Sequence, residues 1–325
     1  MKVKDINELG AYLEHLGLAD AAIMENLQTL KEGEGFIGRV AARHGEDRLS
    51  CRYQISRDSD SNLYRLDGYN AALLRVDIPH GVLDGISSMN LEARLKEVDV
   101  YRDWQDVFDR HSSIAQICME LTLLSKSTDE EARELGNLLS LKYLADTPVE
   151  KLVEINIDRH HYEKEIFIPL MGNDHDTGIL QAYNLLCGRG IMKLKDISED
   201  HPPEAYWLVL ENGYLQSLPE FDIVGQLMRL PFNTGLDREV VQDMFLQLVN
   251  GDQITVDLSM AGQRRQGIIE VDARQGMIVL CNQQGERILT SAMIRRELPN
   301  LNNREKPNGA IKNNAPIKKK KGPSL

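Results

Sequence analysis

Two stretches of the sequence follow one pattern and decide the expected fold. Residues 166–194 read IFIPLMGNDHDTGILQAYNLLCGRGIMKL, and residues 229–258 read RLPFNTGLDREVVQDMFLQLVNGDQITVDL. Each passes from a proline through a glycine turn into a helix-like run, which ends at Gly188 or Gly251 before a strand-like run. A helix that covers one face of a small antiparallel sheet fits this pattern. We therefore expect two tandem strand-helix-meander units over residues 157–298, and leave open whether they are a true duplication.

The N-terminal segment, residues 1–85, shows a related order of elements. The stretch INELGAYLEHLGLADAAIMENLQTLKEG has apolar residues at three- and four-residue spacing, which predicts a helix that ends at Gly33. The runs FIGRVAA, RLSCRYQIS and NLYRL follow it, contain β-branched or aromatic residues, and are separated by polar turns. We expect a helix-plus-meander domain here.

Residues 86–156 carry a purely helical pattern. The runs MNLEARLKEV, YRDWQDVF, SIAQICMELTLLSK, DEEARELGNLLSLKYLA and PVEKLVEI predict four or five helices in a small bundle. Its predicted core consists of Trp104, Phe108, Leu121, Leu124 and Leu138. The expected fold class is therefore α+β, with small helix-plus-antiparallel-meander units flanking a central helical bundle.

Charge divides the chain into an acidic body and a basic tail. Residues 299–325 carry a net charge of +6, whereas the remaining body carries −18. The tail is rich in Asn, Pro, Gly and Lys and has almost nothing apolar to bury, so we expect it to be disordered. Because an acidic body repels a phosphate backbone, contact with nucleic acid has to use the tail or a local basic patch.

The composition and the apolar runs restrict the class of protein. Hydrophobic residues make up 42% and charged residues 27%, which is typical of a folded globular chain. No apolar run approaches the roughly 18 residues that cross a bilayer, and the N-terminus lacks the apolar region of a secretory signal. The sequence predicts a cytoplasmic protein with no membrane partner. Common nucleotide-binding and hydrolase motifs do not occur, so it predicts no catalytic residue and no cofactor.

The strongest candidate for chemistry is a cluster of imidazoles and carboxylates on either side of one strand-like run. The cluster consists of His160, His161, Asp174, His175 and Asp176. Such groups are ligands for Zn²⁺ or Mn²⁺. The adjacent His160 and His161 would face opposite sides of an extended chain, so at most one could join a site. The interpretation we favour is that Asp176 or Thr177 caps the backbone amides at the start of the next helix.

Nucleic-acid contacts are weaker candidates. They are Arg264 and Arg265 at a hairpin tip, Arg274 in the next turn, and Lys318, Lys319, Lys320 and Lys321 in the tail. Four lysines neutralise about four phosphates, which gives weak, salt-sensitive binding that specifies no sequence.

Four segments resemble a family of uncharacterised proteins built from domains of unknown function and carried on conjugative transposons and other mobile elements of Bacteroidetes. These segments are LEARLKEVD (91–99), LLSLKYLADTP (138–148), GNDHDTGILQAYNLLCGRGIMKL (172–194) and PNGAIKNNAPIKKKKG (307–322). The similarity extends over roughly residues 86–325. It implies a cytoplasmic bacterial protein that travels with DNA-transfer or DNA-processing genes, and it supplies no catalytic residues.

A second, local resemblance concerns the DHD turn, which looks like the acidic turn of toprim domains, the Mg²⁺-binding module of topoisomerases and primases. That fold also needs a glutamate at the end of an earlier strand, and Glu154 lies too close upstream to serve.

Three hypotheses for function follow. The leading one is a non-enzymatic accessory or adaptor protein of a mobile element, whose acidic body binds protein partners and whose basic tail contacts nucleic acid. The second is a metal-dependent enzyme acting on nucleic acid through the cluster at positions 160–176. The third is an acidic DNA mimic that inhibits a basic DNA-binding protein.

Overall fold

A computed structural model describes residues 2–31, 33–58, 61, 63–153, 155–195, 204–232, 235, 237–260, 263–282 and 285–289. Helices and antiparallel sheets make up this part of the chain, which confirms the α+β class. The predicted disordered tail, residues 299–325, lies outside the described residues. None of the helices in the described part is long and apolar enough to cross a membrane.

The elements follow one another in this order. The helices are α1 (Ile6–Leu16), α2 (Ala21–Thr29), α3 (Ser88–Glu97), α4 (Val100–Asp103), α5 (Ser113–Ser125), α6 (Glu130–Leu144), α7 (Ile179–Leu186), α8 (Ile223–Leu227) and α9 (Arg238–Val249), with 3₁₀ helices at Trp104–Phe108, Glu150–Leu152 and Arg159–His161. The strands are β1 (Lys2–Val3), β2 (Gly35–His44), β3 (Asp47–Arg57), β4 (Tyr64–Arg65), β5 (Gly68–Leu74), β6 (Val82–Leu83), β7 (Ile86–Ser87), β8 (Glu163–Pro169), β9 (Ile191–Lys195), β10 (Glu204–Glu211), β11 (Tyr214–Pro219), β12 (Ile254–Met260), β13 (Gln263–Asp272), β14 (Met277–Cys281) and β15 (Arg287–Leu289).

The first sheet is built around β3. Strand β2 pairs along one side of β3, while β5 and the short β4 pair along the other, and β8 adds to the far side of β5. All of these pairings are antiparallel. Because β5 ends at Leu74 and β8 begins at Glu163, the intervening residues 75–162 are inserted between two neighbouring strands. Strand β8, which lies beyond the domain boundary that we predicted at residue 157, therefore belongs to the same sheet as the N-terminal strands.

One face of this sheet is apolar and the other is polar. On β3, Leu49, Cys51, Tyr53 and Ile55 are buried and alternate with more exposed residues, as the two-residue period of a strand requires. Apolar residues of α1, α2 and α7 cover this face and complete the first core. We call the opposite face of the sheet the outer face.

The inserted segment forms a helical unit with its own core. Residues of α3, α5 and α6 supply most of this core, including Leu121 and Leu124. The prediction that Trp104 and Phe108 belong to it is wrong, because Phe108 is 78% exposed and Trp104 39% exposed on the 3₁₀ helix. Leu138 is buried in a different, smaller cluster, which packs the helical unit against one end of the outer face.

The two repeated stretches show matching local geometry. Each helix, α7 or α9, ends before a glycine in the left-handed region, with φ of +84° at Gly188 and +83° at Gly251. A side chain would strain this conformation, which explains the glycine after each helix. An antiparallel meander follows in both cases: β9, β10 and β11 after α7, and β12 to β15 after α9.

The sheet formed by β9, β10 and β11 separates two cores. On β10, Trp207 and Val209 are buried in a core shared with α8, α9 and strands β12 to β14. The alternate residues Leu208 and Leu210 pack against the first core. The α7 helix thus belongs to the N-terminal core, whereas its sequence counterpart α9 belongs to the C-terminal one.

Candidate functional site

The loop between β8 and α7 is organised by one carboxylate. Asp176 accepts hydrogen bonds from the backbone amides of Met171 at 3.0 Å, Gly172 at 2.6 Å and Asn173 at 3.1 Å. The Tyr12 hydroxyl donates a further, short hydrogen bond from α1. Burial alone would raise the pKa of Asp176, but these donors hold that pKa below its usual value. The Asp176 side chain is therefore committed to the loop.

The helix that follows is not capped as we expected. Its N-cap is Gly178, and no side chain accepts from the first amides of α7. A Cβ at Gly178 would lie 3.2 Å from the Leu16 carbonyl oxygen, so the end of α1 leaves little room for a capping side chain. The carboxylate of Asp176 serves backbone amides, as proposed from the sequence, but they are the amides of the preceding loop.

The predicted metal ligands lie at the two ends of β8. His160 and His161 belong to the 3₁₀ helix just before this strand, whereas Asp174, His175 and Asp176 follow its end. Seven strand residues at about 3.3 Å each put roughly 20 Å between the two groups. Among the described residues, no group of three or more His, Cys, Asp or Glu side chains is placed to hold a metal ion.

A cleft of about 720 Å³ adjoins the 174–176 loop. Elements α1, α7, β9 and α9 contribute its walls, and Phe245 and Val249 supply apolar surface. Lys193, on β9, lines the cleft and is only 7% exposed. Its ammonium group donates to the carbonyl oxygen of His175 at 2.9 Å and to Oε1 of Gln181 at 2.5 Å. This amine connects the loop to α7.

The pKa of Lys193 is low for a lysine. Burial lowers its pKa to about 8, and the nearby charge of Asp176 opposes that shift only in part. No carboxylate in the described part of the chain forms an ion pair with it. Perturbed lysines that line clefts are candidate functional groups, here as a hydrogen-bond donor or an amine that loses its proton near pH 8.

Lys193 was not among the residues predicted from the sequence, although its position on the strand carries a signal. Ile191 and Lys193 are two residues apart on one strand, so they face the same side. Ile191 is fully buried in the first core, and a lysine that shares its side is expected to be buried as well. The strand IMKLK was identified, but its alternation was not used.

The arginines proposed for nucleic acid do not form one patch. Arg264 and Arg265 lie at the start of β13, and Arg274 follows the end of that strand, roughly 25 Å away at about 3.3 Å per residue. Arg264 is paired with Asp257 at 2.5 Å, and Arg274 donates to the backbone of Leu210 at 2.7 Å. The four tail candidates, Lys318, Lys319, Lys320 and Lys321, lie outside the described residues.

Comparison of the chain with protein-family models, with curated proteins and with solved structures gives no match. Function therefore has to be argued from the molecule itself.

Proposed function

We propose that this chain is a non-enzymatic, cytoplasmic accessory or adaptor protein of a bacterial mobile element, which binds a protein partner through its folded body and nucleic acid through its basic tail. The mobile-element context is supported by the resemblance described above, and the role of the tail by its charge of +6. The observation that carries the adaptor function is an exposed aromatic surface on the helical unit.

This helical surface consists of Tyr101, Trp104, Phe108, Met119 and Leu123, all of which are exposed. The three aromatic residues lie within eight consecutive positions of the segment 100–108, Tyr101 on α4 and Trp104 and Phe108 on the 3₁₀ helix. The 3₁₀ helix packs against α5, which carries Met119 and Leu123 at a spacing of four. Aromatic residues and methionine are enriched at protein interfaces.

The apolar side chains of the helical surface remain in contact with water. Burying a large apolar side chain is worth about 1.5–3 kcal/mol relative to leaving it exposed. The fold does not recover this free energy at Phe108, which is 78% exposed. A partner that covers the helical surface would recover it, and buried aromatic residues of this kind commonly dominate binding energies.

The experiment compares three full-length proteins as baits in extract of the native host. They are the wild type, a Phe108→Ser variant and, as a matched control, a Tyr214→Ser variant. Tyr214 is an aromatic residue on β11 that is 75% exposed, far along the chain from the helical unit. A partner should be retained by the wild type and the Tyr214 variant and lost by the Phe108 variant.

The partner found in this way is then purified, and its affinity for each bait is measured. We expect the Phe108 substitution to weaken binding at least tenfold, since hot-spot truncations cost about 2 kcal/mol or more. Thermal melting of the three proteins checks that folding is unchanged. Equal affinity for all three would refute the helical surface as the docking site.

A further inference from the structure

The outer face of the first sheet carries two arginines directly opposite each other. Arg39 on β2 pairs in register with Arg52 on β3, and both side chains are exposed. Within the described part of the chain, neither guanidinium makes a hydrogen bond or an ion pair. Like charges directly opposite on neighbouring strands are destabilising. This arrangement therefore favours binding of an anion between them.

The same cross-strand row ends on an aromatic side chain. Arg52 pairs with Asn70 on β5, and Asn70 pairs with Phe167 on β8, so the row reads Arg39, Arg52, Asn70, Phe167 across four strands. Phe167 is 52% exposed on this face. An open aromatic ring beside an amide and two cations offers stacking, hydrogen bonding and charge in a single line.

The row lies in a concave site. A cavity of about 860 Å³ has the outer face as its floor, and Asp146 and Arg159 of the inserted segment contribute to its wall. The wall charges are balanced, because Arg159 binds Asp146 and Glu163, each at 2.8 Å, and Asp146 also binds Arg48 at 3.1 Å. Among the arginines that line the cavity, Arg39 and Arg52 are those without a carboxylate bonded to them in the described part of the chain, although the charge of Asp146 also acts on Arg39.

One carboxylate that lines the cavity makes the charge on its β8 side differ from the charge on its β2 and β3 side. Glu165 lies two residues before Phe167 on β8, on the same face, and it makes no hydrogen bond or ion pair with any described residue. It repels an anion from the β8 side of the cavity, and it is able to accept a hydrogen bond from an amino group. Positive charge thus lies over β2 and β3, and an aromatic ring with an acceptor over β8.

We infer that the outer face binds a nucleoside phosphate, either free or as a unit of a single-stranded nucleic acid. The phosphate lies between Arg39 and Arg52, and the base stacks on Phe167 with its exocyclic amino group toward Glu165. Strands are spaced about 4.8 Å apart, so Arg52 and Phe167, two strands apart, are separated by about 10 Å at the backbone. The long arginine side chain covers part of that distance. Stacking of bases on aromatic residues beside a cationic groove is a general mode of single-strand binding.

This site goes beyond the proposed function, since it belongs to the folded body and is independent of the tail and of the helical surface. The test uses the full-length chain, so any contribution of the tail is the same in every variant. Binding of a fluorescently labelled ten-nucleotide single-stranded DNA of mixed sequence is measured by anisotropy at several salt concentrations. AMP and inorganic phosphate are then added as competitors.

Three variants are compared with the wild type. They are the double variant Arg39→Ser and Arg52→Ser, the variant Phe167→Ala, and a charge-matched control with Arg110→Ser and Arg229→Ser. The control arginines are exposed, and their side chains make no hydrogen bond or ion pair with described residues. We expect the first two variants to lose at least tenfold in affinity and the control to bind like the wild type. The double variant should also lower the slope of log K against log salt by about 0.7 for each phosphate released, whereas Phe167→Ala should not.

The competitors identify the source of the ligand. Displacement of the DNA by AMP identifies a free nucleotide, and binding of DNA that AMP does not displace identifies a single strand; either result supports the site. Three results would overturn it: no binding of the DNA by the wild type together with no binding of AMP in a direct titration, equal affinity of all four proteins, or displacement by inorganic phosphate together with wild-type affinity of the Phe167 variant. Thermal melting confirms that each variant is folded.

Discussion

The outer face of the first sheet has two halves, and each half carries a cross-strand pair of arginines. The surroundings of the two pairs differ. In the half covered by the helical unit, Arg43 on β2 pairs in register with Arg48 on β3. Four residues along each strand, in the open half, Arg39 pairs with Arg52. Arg48 is 10% exposed and bonds to the Ala145 carbonyl and the Asp146 carboxylate, whereas Arg52 is exposed and unpaired among the described residues.

The difference shows that an arginine on a sheet face contributes to stability only where another part of the chain supplies its partner. The insertion of residues 75–162 between two neighbouring strands supplies it for one half of the face. Asp146 adopts a left-handed backbone conformation, with φ of +57°, at the point where it meets Arg48. In the open half Arg39 and Arg52 make no hydrogen bond or ion pair with a described residue, and only the charge of Asp146 acts on Arg39, which leaves both guanidinium groups able to bind a ligand.

The largest expected effect is a loss of stability when an arginine in the covered half of the outer face is replaced. Substituting Arg48→Met should lower the free energy of unfolding by about 3 kcal/mol, because it breaks a largely buried ion pair, leaves the Ala145 carbonyl without this donor and leaves Asp146 with Arg159 as its remaining cation. Urea denaturation of the variant and the wild type measures this loss. Arg52→Met is the matched control, and its change should stay within about 0.5 kcal/mol. Equal losses would mean that the two halves do not differ.

The second expected effect is a loss of stability at the edge of the sheet, where the helical unit meets the β2–β3 hairpin. Lys142, on α6, is 10% exposed and bonds to Glu46 at 2.7 Å and to Glu92 at 3.0 Å. The variant Lys142→Met should cost about 2 kcal/mol, since it removes a donor from the buried Glu92 carboxylate. Lys96 contacts the same two carboxylates but is 46% exposed, so Lys96→Met should cost less than about 1 kcal/mol. Chemical denaturation of both variants separates these values, and a larger loss for Lys96 would contradict the argument from burial.

The sequence predicted the local elements of this comparison but not their assembly. The β-branched and aromatic residues of RLSCRYQIS, together with the polar turns on either side, predicted β3 as a strand. Nothing local indicates that β8 pairs with β5, since the two strands are separated by nearly ninety inserted residues. The outer face and its cavity exist only after that pairing, so neither could be read from the sequence.

The same reasoning explains the errors at Phe108 and around Asp176. Phe108 was assigned to a core because it is aromatic and lies in a helical pattern, but the 3₁₀ helix there turns it outward. The carboxylate of Asp176 was correctly linked to backbone amides, but which amides it binds depends on where α1 crosses the start of α7. The residue type predicted that the Asp176 carboxylate accepts hydrogen bonds from backbone amides, and tertiary packing determined which amides donate them.

A smaller effect concerns acid pH. Hydrogen bonds from Lys142 and then Lys96 lower the pKa of Glu46 to about 2, from an ordinary value near 4.5. A carboxyl group with a lowered pKa in the folded state stabilises the fold above its unfolded pKa, and this stabilisation is lost as the pH falls from about 4.5 to about 2. Because the side chain is more than half exposed, solvent screening limits the contribution to less than about 1 kcal/mol.

The measurement compares Glu46→Gln with the wild type in urea denaturation between pH 7 and pH 2.5. The difference in stability between the two proteins should shrink as the pH falls. Glu134→Gln, at an exposed position on α6 without an ion pair to any described residue, serves as the control and should show a constant difference. A difference for Glu46→Gln that grows toward acid pH would reverse the predicted sign.

The smallest expected effect is a gain in stability, and it comes from a substitution in the open half of the outer face. Substituting Arg52→Thr should raise the free energy of unfolding by a few tenths of a kcal/mol, because it relieves the repulsion from Arg39 and threonine suits a strand. The gain in the free energy of unfolding should shrink as salt is added, since exposed charges are screened.

Two further variants serve as controls. Arg52→Lys keeps the charge and should show no gain. Arg39→Thr added to Arg52→Thr should bring no further relief, because the repulsion belongs to the pair. A decrease of more than about 1 kcal/mol in the free energy of unfolding for Arg52→Thr would show that this arginine stabilises the fold, as Arg48 does. It would contradict the interpretation that the open half is free to bind an anion.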